Sequence, residues 1–296
     1  MPASNPTLRI AAFNVLPPLF GLVTGWAAQA GHKIVLVVTS PGPKSRRSEG
    51  YKHIVAQAGE LNLEVLVTTR LKTVATPMLR ELKPDLILSA SFPWLLPPEL
   101  LQTARLGAVN LHPSLLPAYR GPNPMRQFYE ASPQVGATLH WTEAEFDTGH
   151  ILAQHAVPLP RPCTPETIRA TWAPTMMAAI VEGTARAIAG DAGRAQPTTG
   201  ISYGAEFTEA EHWLDMAEPA FALQCKAAAL NMLGAPSAKT RINGEPWLIA
   251  RIELLTNATS ATAPGSIIEH LDDGLIVQAG DAPIKLTATR LSQINA

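Results

Sequence analysis

The sequence offers little material for disulfide bonds, metal sites or membrane spans. Cys163 and Cys225 are the two cysteines among 296 residues, and neither lies in a Cys-x-x-Cys or Cys/His spacing, so neither a disulfide framework nor a zinc site is expected. No uninterrupted apolar run is long enough to cross a bilayer, and residues 1–6 lack the basic start of a secretory signal. These absences predict a cytoplasmic protein with no membrane partner.

An excess of charge of either sign is also missing. The chain has 23 Lys and Arg residues against 24 Asp and Glu residues, which leaves a net charge of −1 and a pI near 6.7. So small a net charge creates no general field that attracts nucleic acid. Binding to DNA is therefore not expected, and any contact with RNA would need a local basic patch.

A dinucleotide-binding turn is absent as well. Such a fold carries Gly-x-Gly-x-x-Gly after its first strand, whereas residues 13–21 read Phe-Asn-Val-Leu-Pro-Pro-Leu-Phe-Gly. NAD and FAD are therefore not expected as cofactors.

Apolar runs that alternate with helix-like segments predict an α/β fold. Runs without polar alternation are typical of strands in a sheet covered on both faces, and the intervening helices predict parallel crossovers. We therefore expect a Rossmann-like, mostly parallel sheet. The predicted strands are Leu8 to Phe13, Ile34 to Thr39, Leu86 to Ser89 and Ala108 to Leu111, and the predicted helices include Leu19 to Ala30 and Thr73 to Leu82.

The last third of the chain predicts a second, smaller domain. A length of 296 residues exceeds the usual size of a single core, and a polar stretch rich in Gly, Pro and Thr is typical of a linker. Beyond it, a helix is predicted from Glu209 to Leu233, and Asn243-Gly244 and Asp273-Gly274 each indicate a hairpin. We expect a larger domain at 1–190, a linker at 191–204 and an OB-like β-barrel at 205–296.

Two short motifs carry the residues with the most chemical potential. In Asn-Leu-His-Pro-Ser-Leu-Leu-Pro, Asn110 and His112 are two apart, so an extended chain directs both side chains to the same face. Phe-Asp-Thr-Gly places Asp147 in a turn, and the predicted strands on either side are Val135 to His140 and Ile151 to Val157. An imidazole, a carboxylate and an amide donor together predict an acid–base centre that stabilises an oxyanion.

These motifs resemble those of the folate-dependent formyltransferases, and most closely those of the branch that acts on methionyl-tRNA. The resemblance runs from about Arg9 to Ile201 for the catalytic domain, and the remainder is similar to the family's C-terminal barrel. It implies that Asn110, His112 and Asp147 are catalytic and that 10-formyltetrahydrofolate donates its formyl group directly to an amine. Asn110 and a protonated His112 are expected to hold the oxyanion, and Asp147 to favour the imidazolium and relay the proton of the amine.

Three further histidines lie close to the Asp147 turn in sequence. The spacing of His140, His150 and His155 gives no recognisable metal triad, and the family needs no metal. We expect structural or solvent-facing roles for all three.

The resemblance also implies a set of folate-binding residues. In the matching family segment, main-chain groups that follow the strand ending near Ser89 contact the pterin, at the sheet edge where ligands collect. Phe92 and Trp94 offer flat apolar area, with ordinary core packing as the alternative role, and Ser114 has a structural turn role as its alternative. The residues expected to bind folate are Ser89, Ala90, Ser91, Phe92, Trp94, Leu96, Ser114, Thr142, Glu143 and Phe146.

The acceptor amine stays open between two classes of substrate. The basic loop (residues 40–52) matches the loop that reaches the tRNA acceptor stem in the methionyl-tRNA branch, and its cations would neutralise phosphates, although a solvated surface loop is the alternative. The C-terminal barrel also favours tRNA. Asn123-Pro124 and the altered turn after Asn14 favour a small amine such as an amino sugar, and a hydrolase that releases formate is a third hypothesis. The residues expected to bind the acceptor are Asn14, Arg46, Arg47, Arg120 and Asn123.

Overall fold

A computed structural model describes residues 7–42, 49–255 and 260–294. The chain divides into two compact units, each assembled from separate stretches of sequence. The first consists of Met1–Pro122, Gly136–Ala156 and Ala173–Tyr203, and the second of Asn123–Val135, Val157–Trp172 and Gly204–Ala296.

Within the described residues, one sheet has seven strands in the order β3-β2-β1-β4-β5-β6-β7. Strands β1 to β5 pair in parallel, whereas β6 runs antiparallel to β5. The chain between β5 and β6 holds only a four-residue helix, so it does not supply the longer crossover that a parallel pair needs. The strands are β1 (Arg9–Asn14), β2 (Lys33–Thr39), β3 (Val65–Val67), β4 (Leu86–Ala90), β5 (Ala108–His112), β6 (Gln134–Trp141) and β7 (Ile151–Pro158).

Prolines and a glycine set the ends of the first helix. It begins at Pro17, whose missing N–H costs nothing in a first helical turn, and it is followed by Gly31 at a φ of 71°, a backbone conformation that glycine adopts readily. The helices α1 (Pro17–Gln29), α2 (Gly50–Glu60), α3 (Thr76–Leu82) and α4 (Pro98–Leu101) belong to the first unit, whereas α5 (Arg126–Tyr129) belongs to the second and α6 (Pro165–Ile188) contributes residues to both.

The helix predicted from Thr73 to Leu82 begins later than expected. Regular α-helix starts at Thr76, after a π-helical turn at Leu71–Ala75. Pro77 has no N–H to donate to the carbonyl of Thr73, so the α-helical hydrogen-bond pattern cannot extend backwards through this point.

The second sheet is mostly antiparallel and has six strands within the described residues, in the order β11-β12-β13-β10-β9-β8. The strands are β8 (Trp213–Leu214), β9 (Ala238–Ile242), β10 (Glu245–Leu254), β11 (Ile267–Leu271), β12 (Gly274–Gln278) and β13 (Pro283–Arg290), and the helices are α7 (Ala220–Asn231) and α8 (Leu291–Ile294). With the seven-stranded sheet, it confirms the predicted α/β fold followed by a smaller β domain.

Two sequence predictions in this part need correction. The helix expected from Glu209 to Leu233 is restricted to α7, because Trp213 and Leu214 pair with β9 and Pro219 then marks the helix start. The Asn243-Gly244 hairpin is confirmed, with φ values of 50° and 81° that suit a two-residue turn. The second hairpin turns one residue earlier than predicted, since Gly274 already pairs with Leu271.

The first sheet is buried where it faces its helices. Residues of β1, β2 and β4 are almost completely inaccessible, and they pack with Leu79 and Leu100 from the flanking helices. Burial on both faces explains why these strands read as continuous apolar runs.

No helix in the described part of the chain combines the length and apolarity that crossing a membrane requires.

Candidate active site

The carboxylate of Asp147 is the point at which the three predicted catalytic residues meet. Its Oδ1 accepts a hydrogen bond from Asn110 Nδ2 at 3.2 Å and lies 3.5 Å from His112 Nδ1. Its Oδ2 accepts a hydrogen bond of 2.8 Å from the Gly121 amide. His112 and Asp147 are only 4% and 8% exposed, so little water weakens these interactions.

Strand β5 explains why Asn110 and His112 reach the same carboxylate. Both residues lie on this strand, and alternate residues of a strand project to the same face. Asn110 pairs with His140 of β6, and His112 pairs with Thr138. The two-residue spacing in the sequence therefore translates into a shared partner, as expected.

The loop that carries Asp147 is held close to β6. Asp147 has a φ of 57°, a left-handed conformation that is uncommon for residues with a side chain but tolerated by aspartate. At Gly149 an added Cβ would overlap the carbonyl oxygen of Trp141, so only glycine allows this approach. Gln196 completes the support, because its Nε2 donates to the carbonyls of both Asp147 and Gly149 at 2.8 Å.

His140 is a member of the cluster that the sequence analysis did not place there. Its ring is 1% exposed, with Nδ1 2.7 Å from the Trp141 carbonyl and Nε2 3.1 Å from Asn110 Nδ2. Since a carbonyl can only accept, Nδ1 carries the hydrogen and Nε2 accepts from Asn110. Both N–H groups of Asn110 are thus used, one by His140 and one by Asp147. The sequence alone does not indicate that His140 lies beside Asn110, because this contact depends on the pairing of β5 with β6.

The two histidines that lie near His140 in sequence have partners of their own in the first unit. His150 is exposed, with Nδ1 3.2 Å from the Ala192 carbonyl, and His155 faces Glu182 at 2.9 Å near the surface. Among the residues that the structure describes, no group of three or more His, Cys, Asp or Glu side chains is arranged to hold a metal ion.

Hydrogen bonding fixes the orientation of the His112 ring. Nε2 lies 2.8 Å from the carbonyl oxygen of Tyr119, so Nε2 carries a hydrogen and donates it. Tyr119 has a φ of 58°, and its amide donates to Ser202 Oγ at 2.9 Å. Nδ1 is left facing the Asp147 carboxylate, where a proton would be stabilised.

Burial and charge act in opposite directions on this pair. Burial lowers the pKa of His112 below its ordinary value, and although the nearby Asp147 carboxylate and the Tyr119 carbonyl raise that pKa, burial prevails. Burial alone would raise the pKa of Asp147, but His112, His140 and the Gly121 amide together hold it well below its usual range. In the resting site, burial thus favours the neutral form of the His112 imidazole, whereas its neighbours favour the ionised form of the Asp147 carboxyl.

The residues expected to bind folate are mostly placed at the end of β4 and in the turn beyond it. Ser89 pairs with Asn110 across the sheet, and Ser91 has a φ of 55°. Phe92 packs edge-to-face on Phe13 at 5.2 Å, and Trp94 donates from Nε1 to Ser40 Oγ at 2.9 Å. The side chains of Phe92, Trp94 and Leu96 all pack with the core.

The other expected folate residues differ in exposure. Ser114 is fully buried and donates to the Ala118 carbonyl at 2.7 Å, which is the turn role named as its alternative. Phe146, directly before Asp147, is 49% exposed, and Glu143 is also exposed. Thr142 has a buried hydroxyl without a hydrogen-bond partner among the described residues.

The residues expected to bind the acceptor are dispersed. Asn14, at the end of β1, is fully buried, and its Nδ2 donates to the Ala90 carbonyl at 3.0 Å. Its Oδ1 has no hydrogen-bond partner among the described residues. Arg120 donates to Gln196 Oε1 at 2.7 Å. Asn123 belongs to the second unit, where its Nδ2 donates to the Ala205 carbonyl at 3.1 Å.

Arg46 and Arg47, the remaining residues expected to bind the acceptor, lie outside the described residues, as does Lys44 of the same basic loop. Their expected contact with tRNA stays a prediction.

Comparisons with known proteins agree with this architecture. The formyl transferase family model matches residues 21–183, and the model of the formyl transferase C-terminal domain matches residues 207–295. The methionyl-tRNA formyltransferase of Bordetella petrii is 32% identical over 272 residues, covering 87% of this chain and 84% of that protein. That of Thiobacillus denitrificans is 32% identical over 278 residues, covering 93% and 89%.

Two solved structures show the same fold at low sequence identity. The N-formyltransferase from Helicobacter canadensis, in complex with folinic acid and dTDP-3-aminofucose, matches with a TM-score of 0.68 at 16% identity, over 96% of this chain and all of that one. HypX from Aquifex aeolicus, in complex with tetrahydrofolic acid, matches with a TM-score of 0.64 at 16% identity, over 98% of this chain and 47% of that one. Both family models thus match in the expected order, and the enzyme class predicted from the sequence is confirmed: the chain belongs to the formyl transferase family.

Proposed function

We propose that this protein transfers the formyl group of 10-formyltetrahydrofolate to the amino group of methionyl-tRNA, with Asn110, His112 and Asp147 as the catalytic residues. The observation that carries the chemistry is the buried Asp147 carboxylate shared by Asn110 and His112. The acceptor is supported by relatives about a third identical over nearly the whole chain, C-terminal domain included.

The folate donor would bind beside the carboxyl end of β4. A bound donor would supply the formyl carbon that the acceptor amine attacks. The main chain at Ser91, in its left-handed conformation, and the exposed Phe146 ring next to Asp147 offer a polar and an apolar contact. These residues fit the donor.

His112 acts first as a base. It begins neutral, and its Nδ1 takes the proton that the attacking amine loses. The Asp147 carboxylate, 3.5 Å away, stabilises the imidazolium that results. The same proton then passes to the leaving nitrogen, so the pair gains and loses no proton over the whole reaction.

Asn110 stabilises the oxyanion that develops on the formyl oxygen. To bind the oxyanion, one of the two N–H groups of Asn110 must give up its present acceptor. The bond to the neutral His140 ring is the weaker of the two, because hydrogen bonds to charged acceptors such as Asp147 are stronger. Removing one donor of this kind typically slows the chemical step by about two to three orders of magnitude.

The test is tetrahydrofolate release from 10-formyltetrahydrofolate, with initiator methionyl-tRNA present or absent, and with formyl-methionine scored on the tRNA in the same samples. We expect release that depends on the charged tRNA and yields formyl-methionine. Asn110→Ala and Asp147→Asn should each lower kcat by about a hundredfold or more while melting like the wild type. Release without tRNA would instead identify a hydrolase, and normal kcat in both variants would overturn the site assignment.

A small amine is the second candidate acceptor. The Asn123-Pro124 pair and the altered turn after Asn14 support it, and the N-formyltransferase solved in complex with dTDP-3-aminofucose shares this fold. If the tRNA sample shows no release, a panel of amino sugars assayed for tetrahydrofolate release distinguishes this activity from an inactive preparation.

A further inference from the structure

A segment predicted as a linker contacts both halves of the candidate active site. We call residues 194–203 the strap. Arg194 exchanges two backbone hydrogen bonds with Ile151, of 2.7 and 2.8 Å, and Tyr203 forms a bridge with Arg120. Both ends of the strap are thus fixed to the first unit, and the intervening residues pass over the loops that carry Asp147 and Tyr119.

Gln196 is the strap residue that contacts the Asp147 loop. Its Nε2 has two hydrogens, and each is donated to a backbone carbonyl of that loop, those of Asp147 and Gly149, at 2.8 Å. Its Oε1 accepts from the Arg120 guanidinium at 2.7 and 3.3 Å. The full hydrogen-bonding capacity of the side chain is therefore spent on residues at the site, which a solvated linker side chain would not show.

Ser202 is the strap residue that supports His112. Its Oγ accepts the amide hydrogen of Tyr119 at 2.9 Å, and its own carbonyl accepts the amide hydrogen of Arg120 at 2.9 Å. These bonds hold the Tyr119 peptide in its left-handed conformation, with the carbonyl directed at His112 Nε2. The strap thus contacts the carboxylate loop through Gln196, and through Ser202 it contacts the Tyr119 peptide, whose carbonyl in turn bonds His112.

We propose that Gln196 is a positioning residue of the formyl transfer reaction, which sets the distance between the Asp147 carboxylate and His112. This inference rests on the proposed catalytic role of Asp147. The loop needs such support because Asp147 is left-handed and is joined to Asn110 of β5 through a side-chain hydrogen bond. A displacement of about 1 Å in a reacting constellation is enough to cost about a hundredfold in rate.

The test is a double-mutant cycle between Gln196→Met and Asp147→Asn. Methionine keeps the size and flexibility of glutamine but removes its two donors. We expect Gln196→Met to lower kcat by about tenfold to a hundredfold, with a less than about threefold change in the KM for either substrate. In the Asp147→Asn background the same substitution should lower kcat by less than about twofold, because residues that act through one another are not additive.

A second readout is the titration of His112, followed by NMR of its imidazole nitrogens. The charged and titratable groups that face His112 are Asp147, His140 and Arg120, and the Tyr119 carbonyl contacts Nε2. The carboxylate raises the pKa of His112, so a displaced carboxylate lets that pKa fall further. Gln196→Met should move the His112 titration, and with it the acid limb of kcat, to lower pH. A merely structural role would leave the titration where it is.

The controls separate the possible failures. Thr199→Val changes an exposed strap residue and should leave kcat, the titration and the melting temperature unchanged. If Gln196→Met does not fold, Gln196→Glu replaces it, since the carboxylate still accepts from Arg120 but cannot donate to the two loop carbonyls. Equal loss of kcat in both backgrounds, or an unmoved titration, would overturn the inference. Unchanged kcat in Asp147→Asn alone would instead overturn the proposed function.

Discussion

A single buried carboxylate determines the hydrogen-bond pattern of the candidate site. Asp147 Oδ1 faces an amide and two imidazoles, and Oδ2 takes a backbone N–H. Its pKa is held well below the usual range, which favours the carboxylate form that accepts from Asn110 Nδ2 and from the Gly121 amide. Asn110 in turn presents its second donor to His140, which fixes the tautomer of that ring.

At the residue scale, Gly149 is the position where one added methyl group should damage the site. In Gly149→Ala the new Cβ would overlap the Trp141 carbonyl oxygen, so the loop must move away from β6. We expect the free energy of unfolding to fall by about 1–3 kcal/mol, as in other overpacked sites, and kcat to fall because Asp147 moves with the loop. Denaturant titration and the tetrahydrofolate assay measure the two effects.

The matched control for this substitution is Gly25→Ala. Gly25 lies inside α1, and no atom lies within 4 Å of a Cβ placed there. Alanine should raise the free energy of unfolding by about 0.5–1 kcal/mol, because it restricts the unfolded chain and favours the helix. Equal denaturation midpoints for Gly149→Ala and the wild type would show that the loop tolerates a side chain.

At the scale of elements, the sequence predicts what depends on local pattern. The strands β1, β2, β4 and β5 and the face shared by Asn110 and His112 follow from apolar runs and from the two-residue period of a strand. His140 and Gln196 could not be placed in this way, because their positions come from strand pairing and from hydrogen bonds between residues 47 and 49 apart in sequence. The segment that holds Gln196 is polar and rich in Pro and Gly, and this composition predicts a linker. It does not indicate whether the segment is solvated or hydrogen-bonded to a neighbouring loop.

The buried hydroxyl of Thr138 on β6 forms hydrogen bonds to the turn that follows β5. Thr138 Oγ1 donates to the Ser114 carbonyl at 2.7 Å and accepts from the Leu116 amide and from Gln154 Nε2. Thr138→Val preserves the shape of the side chain but removes this partner from the Ser114 carbonyl and the Leu116 amide, and it takes one of two acceptors from Gln154 Nε2. We expect the free energy of unfolding to drop by about 1–3 kcal/mol, measured by denaturant titration.

A threonine with a local hydrogen bond provides the comparison for Thr138. Thr24 Oγ1 donates to the Phe20 carbonyl within α1, a carbonyl that the helix backbone also uses. Thr24→Val should therefore change the free energy of unfolding by less than about 0.5 kcal/mol. A loss at Thr138 no larger than that at Thr24 would show that the turn after β5 does not depend on the Thr138 hydroxyl.

At the scale of the whole molecule, the charge balance constrains how a large anionic substrate would bind. The net charge of −1 gives no general attraction for tRNA. If tRNA is the acceptor, as proposed, its affinity must come from local cations, and the basic loop holds Lys44, Arg46 and Arg47 within four consecutive residues. Contacts of this type make binding weaken as the salt concentration rises, because each neutralised phosphate releases counterions.

The double variant Arg46→Ala/Arg47→Ala should weaken binding of methionyl-tRNA and flatten its dependence on salt. Each lost phosphate contact reduces the slope of log KM against log salt concentration by about 0.7–0.9, so loss of both reduces it by about 1.4–1.8. The KM for 10-formyltetrahydrofolate should not change. Steady-state kinetics across a series of salt concentrations measure both constants.

The comparison variant removes the same charge elsewhere. Lys33 and Arg80 are exposed and lie outside the basic loop, so Lys33→Ala/Arg80→Ala changes the net charge equally without touching the loop. We expect its slope to match that of the wild type. A slope that falls equally in both double variants would assign the effect to net charge, and a wild-type slope in the loop variant would show that the basic loop makes no phosphate contact. In the second case any phosphate contacts would have to come from cations of another segment.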